Sequence, residues 1–395
     1  MTSAASPRKT YRSLDAFRGL ASLFVVLYHT AAILTGRYPD LSTLPLYKIA
    51  EFGYLGVPVF FVVSGYCIAA SAMSARVRPN GSATYFKQRL RRIYPTCWFS
   101  LLLFALASIG MNYLVHAGKI AASGLASRDL LHQSLWYYVA NITLMQPLFH
   151  QSYLSIVCWT LSYEVAFYAI LGICLILARR NIAKQRLVLD AAHVITIVCL
   201  LLLVCAPSLR HYPFDLWAQF GFGVLVYDLL TNDTEKTPRL WVIPIAALTA
   251  AFVALHSIKL GLLGEPSRLT YTIAAAFAAL LWAMHKHDDN LLRTKVVSFF
   301  AQIGTFSYSL YLTHFLVLGV VMQVAARLGL KEPAHYLLTL LSIVCAVIAG
   351  RIFYQFCERP FITSNRPKPA SPSGTLHTSP APTAMERRET ETPVA

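Results

Sequence analysis

Long apolar runs separated by short polar segments occupy almost the whole chain. An α-helix needs roughly 20 mostly apolar residues to cross the hydrocarbon core of a bilayer. Ten runs reach about this length, near residues 14–34, 53–73, 95–116, 156–178, 188–206, 214–230, 240–258, 269–285, 298–323 and 335–356. The pattern therefore predicts an all-α polytopic membrane protein with ten transmembrane helices.

An eleventh apolar stretch, residues 135–149, differs from these runs in length and composition. It holds only about 15 residues, fewer than a crossing helix needs, and it contains Asn141, Gln146 and Pro147. Irregular backbone at membrane depth is tolerated where protein covers it or where it lines a cavity. We therefore expect a re-entrant or interfacial segment here rather than a further crossing.

The distribution of positive charge orients the predicted helices. The chain carries 34 Lys and Arg against 18 Asp and Glu, and these basic residues lie mostly between the apolar runs, where they indicate topology rather than nucleic-acid binding. Ten crossings that start in the cytoplasm place Arg179, Arg180, Lys184 and Arg186 inside, whereas an extra crossing at 135–149 would place them outside. Both termini are therefore predicted to be cytoplasmic.

Composition excludes a soluble globule and divides the chain into three parts. Charged residues make up 13% of the chain, whereas soluble domains contain about 25%. We expect a cytoplasmic segment at 1–12 without a cleavable signal, a membrane domain at 13–362 and a disordered cytoplasmic tail at 363–395. The eight Cys form no CxxC pair, so we predict structural thiols, no metal site and no permanently bound cofactor.

The first predicted span carries two ionisable side chains that are costly at bilayer depth and therefore mark a candidate site. Arg18 and His29 are 11 residues apart, which on a helix places them on one face about 16 Å apart. Arg18 is expected near the cytoplasmic surface and His29 deeper, toward the outer half. As alternatives, Arg18 could reach the lipid headgroups and His29 could be a packing residue.

A basic loop follows the second predicted span. Arg89 and Arg92 are three residues apart and share a helix face, and their forked guanidinium groups suit phosphate. Anionic lipid is the alternative ligand. Ser64, in the sequence FFVVSG that precedes this loop, is a further candidate for the binding site, although small residues also serve close helix packing.

Two later spans carry polar residues at a similar depth. Glu164, in the sequence WTLSYE, is a candidate catalytic carboxylate that should be paired with a cation or hold a proton. His314 follows Ser307 and Tyr311 at i, i+4 and i+7, so the three form one polar stripe on a helix. A structural ion pair is the alternative for Glu164.

These motifs, in this order, resemble acyltransferase family 3 of membrane proteins: Arg18-x10-His29, FFVVSG, Arg89-x-x-Arg92, WTLSYE, SYSLYLTH and ERP. The resemblance covers about residues 12–362. It implies transfer of an acyl group such as acetyl from cytosolic acyl-CoA to a hydroxyl of an envelope or exported saccharide, free or lipid-linked, at a bacterial inner membrane.

The resemblance also implies residue roles. Arg18 and His29 match a pair essential for acyl transfer, and Arg89 and Arg92 match a pair linked to the CoA donor. Glu164 and His314 match motif positions without a settled role, and from the residues themselves either one could orient His29. Family members often carry an additional extracytoplasmic domain. Here transfer is expected to finish within the membrane domain.

The residues themselves favour the same chemistry. CoA is polyanionic at one end and carries the thioester at the other, so a basic cytoplasmic mouth with a deep histidine supplies a phosphate clamp and a general base. A proton-coupled transporter is the competing function, because buried His, Glu and Arg also mark ion pathways. The chain lacks the internal repeat that is common in transporters, which favours the enzyme.

Overall fold

The computed structural model describes residues 11, 13–118, 130, 132–179, 186–209, 211–231, 237–260, 266–330 and 332–363. The predicted segment 1–12, apart from Tyr11, and the predicted tail from residue 364 onward lie outside the described residues, as do Arg180 and Lys184. Within the described residues the regular elements are helices and no strand is present. The all-α prediction is confirmed for this part of the chain.

The helices alternate with short turns and 3-10 segments. In chain order they are α1 (Leu14–Arg37), α2 (Pro45–Ala50), α3 (Gly56–Arg76), α4 (Gly81–His116), α5 (Leu135–Thr143), α6 (Gln146–Phe149), α7 (Trp159–Arg179), α8 (Leu187–Cys205), α9 (Trp217–Thr231), α10 (Thr237–Leu260), α11 (Pro266–Met284), α12 (Asp288–Leu291), α13 (Lys295–Gly304), α14 (Ser307–Arg327), α15 (His335–Phe353) and α16 (Arg359–Thr363).

Several of these helices are membrane spans by length and composition. Seven helical stretches of the described chain are long and apolar enough to cross a membrane: Leu14–Arg37, Pro45–Arg76, Gly81–His116, Ile156–Ala178, Leu187–Cys205, Ser307–Arg327 and His335–Ile362. Each overlaps a predicted span. This confirms the polytopic class.

The remaining three predicted spans, 214–230, 240–258 and 269–285, also form helices. They correspond to α9, which has 15 residues, to α10, which has 24, and to α11, which has 19. The number of ten crossings and the cytoplasmic position of both ends stay predictions.

The predicted span 298–323 differs from the structure because it contains a break. α13 ends at Gly304 and α14 begins at Ser307, whose hydroxyl donates to the Gly304 carbonyl at 2.9 Å. Gly304 lies so close to α1 that a Cβ there would be 1.7 Å from the Asp15 carbonyl oxygen. Both α13 and α14 pack on α1. The break follows from this packing, which a hydropathy pattern does not contain.

The stretch 135–149 forms two short helices. α5 has 9 residues and α6 has 4, and Leu144 between them adopts a left-handed conformation. At 1.5 Å per residue α5 is about 14 Å long, less than half the thickness of the hydrocarbon core. Apolar side chains on this segment are exposed, among them Leu135, Trp136 and Leu148. Neither helix is long enough to cross the hydrocarbon core alone.

Close backbone contacts hold α3 against α9. A Cβ on Gly65 would lie 2.0 Å from the carbonyl oxygen of Phe220, and a Cβ on Gly223 would lie 2.0 Å from that of Val62. Small residues at a helix crossing permit this approach within a membrane. Because Ser64 and Phe61 belong to the same turn of α3, the crossing determines where the side chains of that turn lie.

We expect Gly65→Ala to destabilise the protein, because the added methyl group must push α3 away from α9. Overpacking of this kind costs roughly 1–3 kcal/mol. Thermal unfolding of the detergent-purified protein would measure it as a lower melting temperature. Gly110→Ala is the control, since a Cβ on Gly110 meets no atom within 4 Å. Equal melting temperatures for the two variants would contradict the prediction.

A buried charged cluster connects α8 to α9. Asp228 is 0% exposed, and its Oδ2 accepts from Arg186 Nη2 at 2.6 Å and pairs with His193 Nε2 at 3.0 Å. Trp241 of α10 donates from its indole to Asp190 Oδ1 at 3.3 Å, and Asp190 also lies near Arg186. Buried charges require such partners. The cluster connects α8, α9 and α10, and none of its residues lines the cavity described next.

Candidate functional site

A cavity of about 70 Å³ lies among α1, α3, α4, α7 and α14. Its wall contains the four residues predicted to bind a donor, Arg18, Ser64, Arg89 and Arg92, and also Glu164. Five side chains that are far apart in the sequence therefore meet in one place. The described residues contain no group of three or more His, Cys, Asp or Glu that could hold a metal ion.

Helical periodicity explains how α3 contributes side chains to this wall. On α3 the lining residues Val57, Phe60, Ser64 and Cys67 follow a spacing of three or four, which places them on one face. Val57 and Cys67 are about 15 Å apart along this face. The cavity therefore extends from an apolar end, near Val57, to a polar end, near Cys67.

The arginines gather at the polar end. Arg89 donates from Nη2 to the carbonyl oxygen of Cys67 at 3.2 Å, and its guanidinium lies 5.3 Å from the ring centre of Tyr168. Arg18 Nη1 is 3.5 Å from Asp15 Oδ1. Within the described residues Arg92 makes no direct hydrogen bond or ion pair. Its charge is therefore available to a ligand in the cavity.

Glu164 lies in the same cavity and is held by two hydroxyl groups. Ser64 Oγ donates to Glu164 Oε1 at 3.2 Å, and the Tyr168 hydroxyl donates to the same oxygen at 2.5 Å. In the part of the chain that the structure describes, Glu164 has no hydrogen bond to His29 or His314. The structure thus places Glu164 with the arginines and not with the histidines.

A second carboxylate that the sequence did not single out also faces the arginines. Glu358 is 3% exposed, accepts from Ser309 Oγ at 2.5 Å, and interacts electrostatically with Arg92 and Arg18. In the sequence Glu358 stands out only as part of the ERP motif. In the structure a π-helical turn, Tyr354–Glu358, joins α15 to α16, and its packing against α4 and α14 brings Glu358 near the arginines.

The two candidate histidines form a pair. The ring centres of His29 and His314 are 5.2 Å apart, and His314 is 0% exposed. His314 Nδ1 lies 2.7 Å from the Tyr311 carbonyl and 3.2 Å from that of Leu310. Because carbonyl oxygens only accept, Nδ1 must carry a proton. In neutral His314 the other nitrogen, Nε2, is then an acceptor, and it is buried without a hydrogen-bond partner among the described residues.

An apolar layer separates the cavity from the histidine pair. We use this name for six side chains that pack as one cluster: Val25, Val57, Phe60, Val157, Tyr311 and Phe315. Tyr311 lines the cavity and also lies 5.7 Å from His314 between ring centres. On the other side of the layer, Phe315 lies 5.5 Å from His29. The layer thus contacts the cavity on one face and the histidines on the other.

Tyr311 is the most firmly held member of the layer. Its hydroxyl accepts from Thr160 Oγ1 at 2.9 Å and donates to the Val157 carbonyl at 3.1 Å. The three residues of the predicted stripe, Ser307, Tyr311 and His314, therefore lie in two different places. Ser307 and Tyr311 line the cavity, whereas His314 lies beyond the layer.

Residues 11–352 match the protein family described as "Acyltransferase domain". No solved structure matches the chain.

Several curated bacterial proteins are similar to the chain. "Putative membrane-bound transacylase BcsY" of Komagataeibacter xylinus is 29% identical over 325 residues, which cover 78% of this chain and 73% of that protein. "Exopolysaccharide production protein ExoZ" of Rhizobium meliloti is 24% identical, over 80% of this chain and 91% of its own length. "Peptidoglycan O-acetyltransferase OatA" of Listeria monocytogenes is 22% identical over 89% of this chain but only 56% of that protein.

Proposed function

Because the chain belongs to the acyltransferase-domain family, we propose that it transfers an acyl group from cytosolic acyl-CoA to a hydroxyl group of an extracytoplasmic saccharide. The protein is an integral membrane protein, as its apolar helices and its similarity to a membrane-bound relative indicate. The observation that carries the proposal is the order in which the arginines, the cavity and the histidines follow one another through the helices. Three arginines lie at one end of a cavity, and two histidines lie beyond its other end.

The donor is proposed to enter from the arginine end. Charge-assisted hydrogen bonds to phosphate are short and strong, and the forked guanidinium group forms two in parallel. Arg18, Arg89 and Arg92 provide three such groups in one wall. Glu164 and Glu358 offset part of this charge before a donor binds, and the phosphates of CoA would replace them as partners of Arg92.

The acyl transfer is proposed to depend on His29. Its imidazole accepts the proton of an acceptor hydroxyl, and the hydroxyl oxygen attacks the thioester carbonyl carbon. As the new C–O bond forms, the C–S bond breaks. The proton then passes from His29 to the departing sulfur, so the products are CoA thiol and an acyl ester. His314 Nε2, the unpaired acceptor next to His29, would orient the ring through a hydrogen bond from it.

A saccharide acceptor is supported by the names of the relatives. OatA is named for O-acetylation of peptidoglycan and ExoZ for exopolysaccharide production. The same names favour an enzyme over a transporter. In a bacterial cell, an acceptor of this class would place the protein in the inner membrane.

The proposed direction of transfer requires a particular topology. With a cytoplasmic N-terminus and ten crossings, α1 leads outward from Arg18 to His29, so the arginines face the cytosol and the histidines lie toward the outside. Segment 135–149 then stays on the outer side without crossing. This arrangement places the donor and acceptor on opposite sides of the apolar layer.

Transfer of labelled acetyl groups to a saccharide enclosed by a sealed membrane would test the proposed function. The purified protein is reconstituted in proteoliposomes with acetyl-labelled acetyl-CoA outside and a soluble oligosaccharide panel inside. We expect alkali-labile label on the enclosed saccharide when the arginine face is outward. Label on no saccharide, in preparations that bind acetyl-CoA, would refute the acceptor class, and absence of acetyl-CoA binding would refute the donor.

A further inference from the structure

The apolar end of the cavity is closed by side chains rather than open to the histidines. Val57, Phe60 and Tyr311 line this end and belong to the apolar layer. The ring centres of Phe60 and Tyr311 are 6.0 Å apart. A group that reaches the histidines from this end of the cavity must therefore displace part of the apolar layer, and these two rings are the members of the layer that meet there.

The orientation of a donor follows from the positions of the charges. If the phosphates bind Arg18, Arg89 and Arg92, as the proposed function states, the thioester end must point away from them and toward the apolar layer. The acyl group is the terminal part of that end. The alkyl part of the acyl group carries no polar atom, so an apolar wall can surround that part without burying an unpaired polar group.

We infer that the apolar layer forms the acyl-binding subsite and that the ring of Phe60 limits the length of the acyl group that is transferred. This inference rests on the proposed function. The two rings differ in how they can respond to a longer chain. Tyr311 is held by hydrogen bonds with Thr160 and Val157, whereas the contacts of Phe60 with the described residues are apolar and ring contacts. Phe60 is therefore the side chain whose size determines the free space.

The available space favours a short acyl group. The whole cavity measures about 70 Å³, where a single water molecule needs about 10–15 Å³ on the same measure. An enzyme pocket that lacks room for one further methylene discriminates against it by about 10–200-fold. We therefore expect acetyl to be preferred over longer acyl groups, and we expect the preference to relax when the ring of Phe60 is removed.

A comparison of donors in one acceptor assay would test the inference. Acetyl-, propionyl-, butyryl- and hexanoyl-CoA are supplied to the full-length protein, its Phe60→Ala variant and the control Phe24→Ala, which removes an equal ring from an exposed position on α1. For Phe60→Ala we expect the butyryl-to-acetyl ratio of kcat/KM to rise at least tenfold. For Phe24→Ala the ratio should equal that of the parent protein.

The outcomes separate this inference from the proposed function. An unchanged ratio in a Phe60→Ala protein that still transfers acetyl would overturn the acyl subsite and leave the acyltransferase function in place. If Phe60→Ala does not fold, Phe60→Leu replaces it, with an expected ratio between those of the parent and alanine proteins, and an unchanged ratio there overturns the subsite equally. No transfer by the parent protein from any of the four thioesters would overturn both.

Discussion

Replacement of His29 by alanine is expected to lower kcat for acyl transfer by about 10²–10⁴-fold, the usual contribution of a general base. His29 and the arginines lie on opposite sides of the apolar layer, and His29 lies next to His314, whose buried Nε2 has no hydrogen-bond partner among the described residues and can orient it. The KM for acyl-CoA should stay close to that of the parent protein, because the phosphates bind about 16 Å away along α1. Steady-state kinetics with varied acyl-CoA would measure both parameters.

Two further variants make the assignment of His29 specific. His314→Ala should lower kcat less than His29→Ala, because an orienting partner is lost while the base remains. His287→Ala, which removes an exposed histidine outside the site, should leave kcat unchanged. If His314→Ala lowered kcat more than His29→Ala did, the roles of the two histidines would have to be exchanged. Near-normal turnover in His29→Ala would exclude it as the base.

Replacement of Arg92 by alanine should raise the KM or dissociation constant for acyl-CoA by about ten- to hundredfold. A hydrogen bond to a charged group contributes about 1.5–3 kcal/mol, and about 1.4 kcal/mol corresponds to a factor of ten. Arg92 is a clearer test than Arg89, since Arg89 also bonds to the Cys67 carbonyl and stacks near Tyr168. Lysine at position 92 should restore affinity only in part, because an ammonium group lacks the planar fork.

Binding of lipid, the alternative ligand for the basic part of α4, makes a different prediction. It requires a lower yield or thermal stability of Arg92→Ala, with the affinity of the folded protein for CoA unchanged. Lys87→Ala is the matched control, because Lys87 is an exposed cation on the same helix and does not line the cavity. Equal CoA affinity for the Arg92→Ala, Lys87→Ala and parent proteins, measured in detergent by calorimetry, would leave Arg92 without a donor-binding role.

The positions of the charged groups and of the histidines explain why the Arg92→Ala and His29→Ala variants are both informative. The cavity wall holds three guanidinium groups and Glu164, with Glu358 close by. Arg18 and Arg89 still line the cavity with Glu164 when Arg92 is removed, so we expect the Arg92→Ala protein to fold. The histidines lie on the other side of an apolar layer. Changes in donor affinity and in turnover can therefore be assigned to different parts of the molecule.

The sequence by itself determined the helical class and the contents of most of the site. Long apolar runs cannot satisfy their backbone in a membrane except as helices, so seven helices of the described chain that are long and apolar enough to cross a membrane could be anticipated without tertiary information. The distance between Arg18 and His29 also followed from local geometry, because every residue of a helix adds the same 1.5 Å. The motif order predicted the family over residues 12–362, and the observed match covers 11–352.

Only the tertiary structure decided which polar residues act together. Glu164 and His314 were equivalent candidates to assist His29, and the structure places His314 beside it and Glu164 among the arginines. It also placed Glu358, from the ERP motif, near Arg92 and Arg18. These contacts join residues on different helices, and the packing angle and rotation of each helix set them.

Packing between helices also explains why the sequence did not predict the apolar layer or the break before Ser307. Phe60 and Tyr311 are ordinary apolar and aromatic residues in the sequence, and nothing local distinguishes a ring that faces lipid from one that closes a cavity. The break at residues 305–306 arises where Gly304 meets the backbone of α1. Local periodicity determines which side of a helix a residue occupies, whereas close packing between helices determines what that side faces.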